Sequence, residues 1–114
     1  MAVPIVALVG TFLLAVLFYG VTAHIAARYV LGDVPIPRAL AVGVVPAIIA
    51  FALQAYHPGV IILVSATADF FAIRAVYRLK YKTAGVVAAA HYTVSVIAAV
   101  TIFNLVRLLG TAPT

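Results

Sequence analysis

The stretch SATADFFAIRAVYRLKYK, residues 65–82, carries one carboxylate, Asp69, inside an apolar run and closes on a cluster of positive charge. The apolar run itself extends from Val60 to Leu79, close to the roughly 20 residues a helix needs to cross a hydrocarbon core of about 30 Å. A run of that length ending in Arg and Lys reads as a transmembrane helix anchored at one face of a bilayer. That reading sets the frame for the rest of the chain.

Composition agrees with it. Of 114 residues, 68% are hydrophobic and 8% charged, whereas a soluble domain carries about 25% charged residues. The absence of Cys excludes disulfide frameworks, thiolate metal sites and Cys nucleophiles. A net charge of +5 on a soluble chain would suggest nucleic acid. Here the basic residues flank apolar segments, so they read as topology signals and contacts to anionic headgroups, with no nucleic-acid surface.

Working outward, the same criterion gives four spans, about 3–31, 39–56, 60–79 and 84–109. The first lacks a preceding basic region and is too long for the apolar part of a signal peptide, so it is read as a mature helix. GDVPIPR, residues 32–38, stops it, with Gly32 suited to a helix C-terminus and two prolines holding the backbone extended. YHPG (56–59) and KYKT (80–83) read as turns, and Pro46 as a kink within the second span. Connections this short require antiparallel neighbours, so the expectation is a single all-α domain, 1–114, built as an up-down-up-down four-helix transmembrane bundle. Echoes of VTAH (21–24) in ATAD (66–69), and of GVVP (43–46) in GVVA (85–88), raise the further idea of two repeated hairpins, which would place His24 and Asp69 in corresponding positions.

Charge sets the expected orientation. Arg28, Arg38, Arg74, Arg78, Lys80 and Lys82 flank the first and third connections, while Arg107 stands alone at the other face. The positive-inside rule then puts that basic end in the cytoplasm and both termini outside, in a cell membrane. Tyr29, Tyr77 and Tyr81 fall where an interfacial aromatic belt would sit on the basic side, and Tyr56 serves the other side.

Helices in lipid pack through small residues and through polar groups that bond across interfaces. Such stripes run through Gly20, Ala23, His24 and Ala27; through Ala39, Gly43, Ala47, Ala50 and Gln54; through Ser65, Ala66, Asp69, Ala72 and Val76; and through Ala84, Ala88, His91, Ser95 and Ala98. Counted from the basic ends, His24, Asp69 and His91 lie about 10–13 Å deep, in one layer that also holds Tyr92 and Thr67, with Arg28 and Arg74 within reach. An intramembrane Asp costs about 2.5–3.5 kcal/mol on insertion scales, so it needs a partner from this layer. Three readings fit the layer: a structural lock, a proton or ion relay built on a His beside a carboxylate, or a two-His, one-Asp metal site. No local spacing such as HxxxH supports the last, and no metal or other cofactor is assigned. A thinner polar layer, Gln54, His57 and Asn104, reads as solvated helix ends or as a vestibule to the first layer. Arg38, Arg78, Lys80 and Lys82 read as topology and headgroup residues.

Comparison with known four-span proteins excludes more than it supplies. Small multidrug transporters need a glutamate in the first helix, and this chain has none; the Gly-rich pore motifs of dual-topology fluoride channels are absent. FYGVTAHIAARYVLGDVP, ADFFAIRAVYRLKYKTA and HYTVSVIAAVTIFNLV resemble a family of small uncharacterised membrane proteins of halophilic archaea, a likeness that implies a lineage and no activity. No nucleophile–base motif, soluble domain or cofactor loop supports an enzyme. The expected function is a noncatalytic scaffold or accessory subunit whose partners are the bilayer and either copies of itself or a larger membrane complex. The alternative is a minimal oligomeric transporter or channel moving protons or a cation through Asp69, His24 and His91.

Overall fold

The computed structural model of the chain describes residues 4–111. Four helices fill most of that length: α1 (Ile5–Leu31), α2 (Ile36–Ala52), α3 (Pro58–Tyr77) and α4 (Tyr81–Gly110). There is no strand among the described residues. The short connections 32–35, 53–57 and 78–80 make successive helices antiparallel, as expected. α1 packs on α2 and α4, α3 packs on the same two, and the diagonal pairs lie apart, so the helices close into a ring. Val3, where the first span was expected to begin, lies outside the described residues, as do 112–114 of the tail.

Each turn has a local cause. Gly32 ends α1 at φ 88°, ψ −132°, a conformation that favours glycine. Pro35 is extended, but Pro37 enters the first turn of α2, where a missing N–H has no intrahelical partner to lose. α2 therefore starts three residues earlier than the expected 39. It also ends at Ala52 and not at 56, because the chain folds back through a turn in which the Tyr56 N–H donates to the Leu53 carbonyl at 2.9 Å. YHPG is only partly a turn: His57 caps α3 by accepting the Gly59 N–H on Nδ1 at 3.0 Å, and Pro58 is the first helical residue. KYKT is likewise mostly helix. The reversal is completed at Arg78, whose φ of 55° is left-handed and lets the Leu79 N–H donate back to the Arg74 carbonyl at 3.0 Å.

α1, α3 and α4 are long and apolar enough to cross a membrane; α2, with 17 residues, is a shorter apolar helix. Because α1 has 27 residues and α4 has 30, these two extend past the α2–α3 turn at the end of the bundle remote from the basic residues. Large apolar side chains line the outside, among them Leu14, Leu63, Ile97 and Phe103, each more than half exposed.

α1 and α2 come into backbone contact at Gly20 and Gly43. A Cβ added to Gly43 would sit 2.5 Å from the Gly20 nitrogen and 2.9 Å from both its Cα and the Val16 carbonyl oxygen. These neighbours are backbone atoms and cannot swing aside, so glycine at 43 sets the interaxial distance. Gly85, the counterpart of Gly43 in the sequence echo, has only the Phe70 ring at 3.8 Å from such a Cβ. The two hairpins thus pack by different means.

The main core cluster lies in the basic half of the bundle, where Ala23, Ala27, Ala39, Val42, Ile73 and Val87 pack together. Tyr77 belongs to this cluster and is buried, which removes it from the expected aromatic belt; Tyr29, Tyr56 and Tyr81 are exposed. Gly43→Ala should lower stability by about 1–3 kcal/mol, the usual cost of overpacking a tight interface, as read by denaturation in mild detergent. Gly10→Ala, with nothing within 4 Å of the new methyl, is the control and should be neutral or slightly stabilising.

Candidate functional site

Three helices bring the polar site together at the upper boundary of that core. Asp69 on α3 and His91 on α4 are both buried, and the His91 Nδ1–H donates to Asp69 Oδ2 at 2.6 Å. The other ring nitrogen, Nε2, lies 3.0 Å from the Thr22 hydroxyl on α1. Thr22 is also reached by the Ser95 hydroxyl, which donates to it at 3.2 Å, and it can donate to the carbonyls of Phe18 at 2.9 Å and Tyr19 at 3.1 Å. The result is one connected chain, Asp69–His91–Thr22–Ser95, that stitches α1, α3 and α4 together.

The inventory of that chain allows two proton states. A threonine hydroxyl has one hydrogen and two acceptor positions. With His91 protonated on both nitrogens, Thr22 accepts from His91 and from Ser95 and donates to Phe18, which uses its full capacity. With His91 neutral, Thr22 turns its hydrogen to Nε2 and still accepts from Ser95. Rotation about one C–O bond therefore adapts the network to either state, with no movement of a helix.

The surroundings differ on the two sides. Toward the basic end, Ile73 lies one turn beyond Asp69 and Val87 one turn before His91, and together with Val42 they are fully buried. This apolar floor closes the site on that side. On the other side all four helices border a half-open cavity of about 260 Å³ that includes Asp69, His91 and Ser95 at its polar end. Its walls include Phe18, Pro46, Ile62 and Val96. One carboxylate oxygen, Asp69 Oδ1, is buried and has no hydrogen-bond partner.

Other residues expected in this layer lie elsewhere. His24 points into a separate shallow pocket between α1 and α2, beside Gly20 and Leu40, where its Nδ1 is buried and unpartnered. The reason is helical phase: Thr22 and His24 are two residues apart and face different ways, and the smaller Thr22 takes the interior position. Thr67 is exposed and returns its hydroxyl to the Leu63 carbonyl of its own helix at 2.8 Å. Arg28 is exposed. Arg74 turns toward the start of α4, with its guanidinium carbon 3.9 Å from the centre of the Tyr81 ring, which in turn stacks on Phe70. Tyr92 borders the cavity from α4 and is about half exposed.

The outer trio is not assembled into a layer. Gln54 is exposed, His57 is the cap of α3, and Asn104 accepts from Arg107 on its own helix at 3.3 Å. Arg38, Arg78, Lys80 and Lys82 are exposed at the basic end. Among the described residues, Asp69–His91 is the one contact of acid and base within ion-pair distance, and no group of three His, Asp or Glu side chains could hold a metal.

A family of unknown function, DUF7473, matches residues 2–113. The chain belongs to that family. Neither the curated proteins nor the solved structures contain a match to it. For DUF7473 no catalytic or transport activity comes with the match, so chemistry has to be read from the buried network of this chain.

In this DUF7473 chain, what sequence reasoning missed is Thr22 and its bond to His91. A signal was present: Thr22 is followed at i+4 by Ala26, so the small face of α1 is wider than the stripe through His24 suggests. A double-mutant cycle of Asp69→Ala and His91→Ala should give a coupling of about 1–3 kcal/mol in unfolding free energy, since removing either partner strands the other in a buried position. Additive losses would mean that the two groups do not interact.

Proposed function

We propose that the chain is a multi-pass membrane protein that acts as a noncatalytic scaffold or accessory subunit, with its basic end in the cytoplasm and both termini outside. Its partners on this reading are the bilayer, further copies of the chain or a larger membrane complex. The observation that carries it is the Asp69–His91–Thr22–Ser95 network closed on the basic side by Ile73, Val87 and Val42. A polar chain that ends on an apolar floor fixes the rotation of three helices and offers ions no continuous path through one copy. The broad apolar exterior supports contact with lipid or with neighbouring helices. The likeness of three long segments to membrane proteins of halophilic archaea supports a lineage of that kind.

The relay reading keeps one observation in its favour, namely that a cavity borders Asp69 on the side away from the floor, with the exposed Ile62, Tyr92 and Val96 of α3 and α4 on its rim. To move a proton or cation onward, the floor of Ile73, Val42 and Val87 would have to open. Liposomes loaded with a pH-sensitive dye decide between the two. On the scaffold reading, wild type and Asp69→Asn both show proton flux no greater than protein-free liposomes. A flux in wild type that Asp69→Asn abolishes overturns it in favour of the relay.

Orientation is testable because the chain has no Cys. A membrane-impermeant maleimide applied to intact cells should label Tyr56→Cys and leave Lys82→Cys unlabelled until the cells are opened; both parent side chains are exposed. The reverse pattern contradicts the proposed topology.

A further inference from the structure

α3 and α4 separate beyond the Asp69–His91 bond. That bond, the stack of Phe70 on Tyr81 and the Arg74 guanidinium over the same ring join the two helices, and all lie at the level of Asp69 or nearer the basic end. On the other side of the bond lies the cavity of about 260 Å³, and it opens sideways. Its lining residues on α1 and α2, namely Phe18, Tyr19, Pro46 and Ala50, are buried or half-buried and form a back wall. The exposed lining residues, such as Ile62, Tyr92 and Val96, all belong to α3 and α4. The mouth is therefore a slot between α3 and α4, two helices long and apolar enough to cross a membrane.

We propose that this slot seats one hydrocarbon tail of a bilayer lipid, entering sideways between α3 and α4. The inference rests on the chain lying in a bilayer, and it holds on the scaffold and the relay reading alike. Depth selects the occupant first. Tyr92 and Val96 each stand ten or more residues from both Lys82 and Arg107, the charged residues that bound the apolar run of α4. That is about 15 Å along the helix from either end, the middle of a hydrocarbon core about 30 Å thick. Lipid tails fill the surroundings at that level, whereas headgroups and bulk water lie outside it.

Chemistry and width agree with depth. Asp69 and His91 are buried and spend polar atoms on each other and on Thr22, and the remaining carboxylate oxygen is covered by protein. A charged guest thus meets no exposed ionic partner. The wall is carbon for the most part, interrupted by the hydroxyls of Tyr19, Ser65, Tyr92 and Ser95. A cavity of about 150 Å³ accommodates benzene, so the volume here corresponds to about ten carbons of a single chain. An α-helix, at least about 10 Å across with its side chains, does not enter such a slot, so a second copy could offer only a side chain. A seated tail covers the apolar wall and keeps water from the Asp69–His91 pair.

Because the chain has no Trp, a single introduced indole reports on the slot. Tyr19→Trp places it on the back wall, and Leu63→Trp places it on the exposed outer face of α3 as a reference. Emission is compared in nanodiscs of phosphatidylcholine with and without bromine at mid-chain, where bromine quenches an indole in contact with the tail. The expected result is quenching of Tyr19→Trp close to that of Leu63→Trp, at least halved when Ala50→Phe fills the slot from α2. Ser65→Leu, which narrows the slot from α3, should reduce it in the same direction and keeps the test sound if Ala50→Phe loses its helical circular dichroism. Neither filler should change the quenching of Leu63→Trp. An unquenched Tyr19→Trp beside a quenched Leu63→Trp would overturn the proposal and leave the slot empty or filled by a side chain of a second copy. Quenching of Tyr19→Trp that both fillers leave unchanged would overturn it too, because the tail then reaches the indole from outside the slot. If Leu63→Trp itself is not quenched, the membrane reading fails and the tail site fails with it.

Discussion

The bond from His91 to Asp69 is the contact on which the arrangement of α3 and α4 depends. A carboxylate within an apolar helix must find a strong donor or bear the cost of burial alone, and the 2.6 Å contact supplies that donor. Once His91 is turned to Asp69, its second nitrogen is left facing α1, where Thr22 meets it. One side chain thus sets the rotation of three helices. The fourth, α2, is placed by shape: Gly43 against the backbone of Gly20 leaves no latitude in the distance between α1 and α2.

These two devices act at different levels of the bundle and divide it into unlike halves. The basic half is tightly filled, by alanines, Val42, Ile73, Val87 and the buried Tyr77. Beyond the polar chain the packing loosens into the cavity bordered by Pro46, whose missing N–H leaves the Val42 carbonyl without its usual helical donor. The helix carrying Pro46 is also the shortest, so α1 and α4 continue past it with exposed apolar faces. The bundle is therefore closed at its basic end and loosened in its other half. It does not by itself provide a route across.

Much of the fold was legible because apolar length and basic flanks are strong signals, and the four helices fall within a few residues of the expected spans. Boundaries moved where proline has two uses: Pro37 and Pro58 start helices, although a proline in a connection equally reads as extended chain. Within the site, Asp69 and His91 were placed at one depth by counting residues, a step that needs no knowledge of rotation. His24 shares that depth but not that direction. Rotation depends on which residue of α1 best fits the interior, and sequence spacing favoured a histidine where the structure has the smaller Thr22. The same uncertainty of direction moved Arg74 to the Tyr81 ring, a cation–π contact with no spacing rule to announce it.

The most direct test of the central contact is the nuclear magnetic resonance of the His91 side chain in protein labelled with ¹⁵N at histidine. A buried Nδ1–H donating to a carboxylate should give a strongly downfield proton, protected from exchange with water and assigned by its loss in His91→Gln. In Asp69→Asn, that proton should move upfield and exchange faster, while the His24 and His57 signals stay in place. A His91 ring with no protected Nδ1 proton, or one unaffected by Asp69→Asn, would contradict the claim that this pair sets the rotation of the helices.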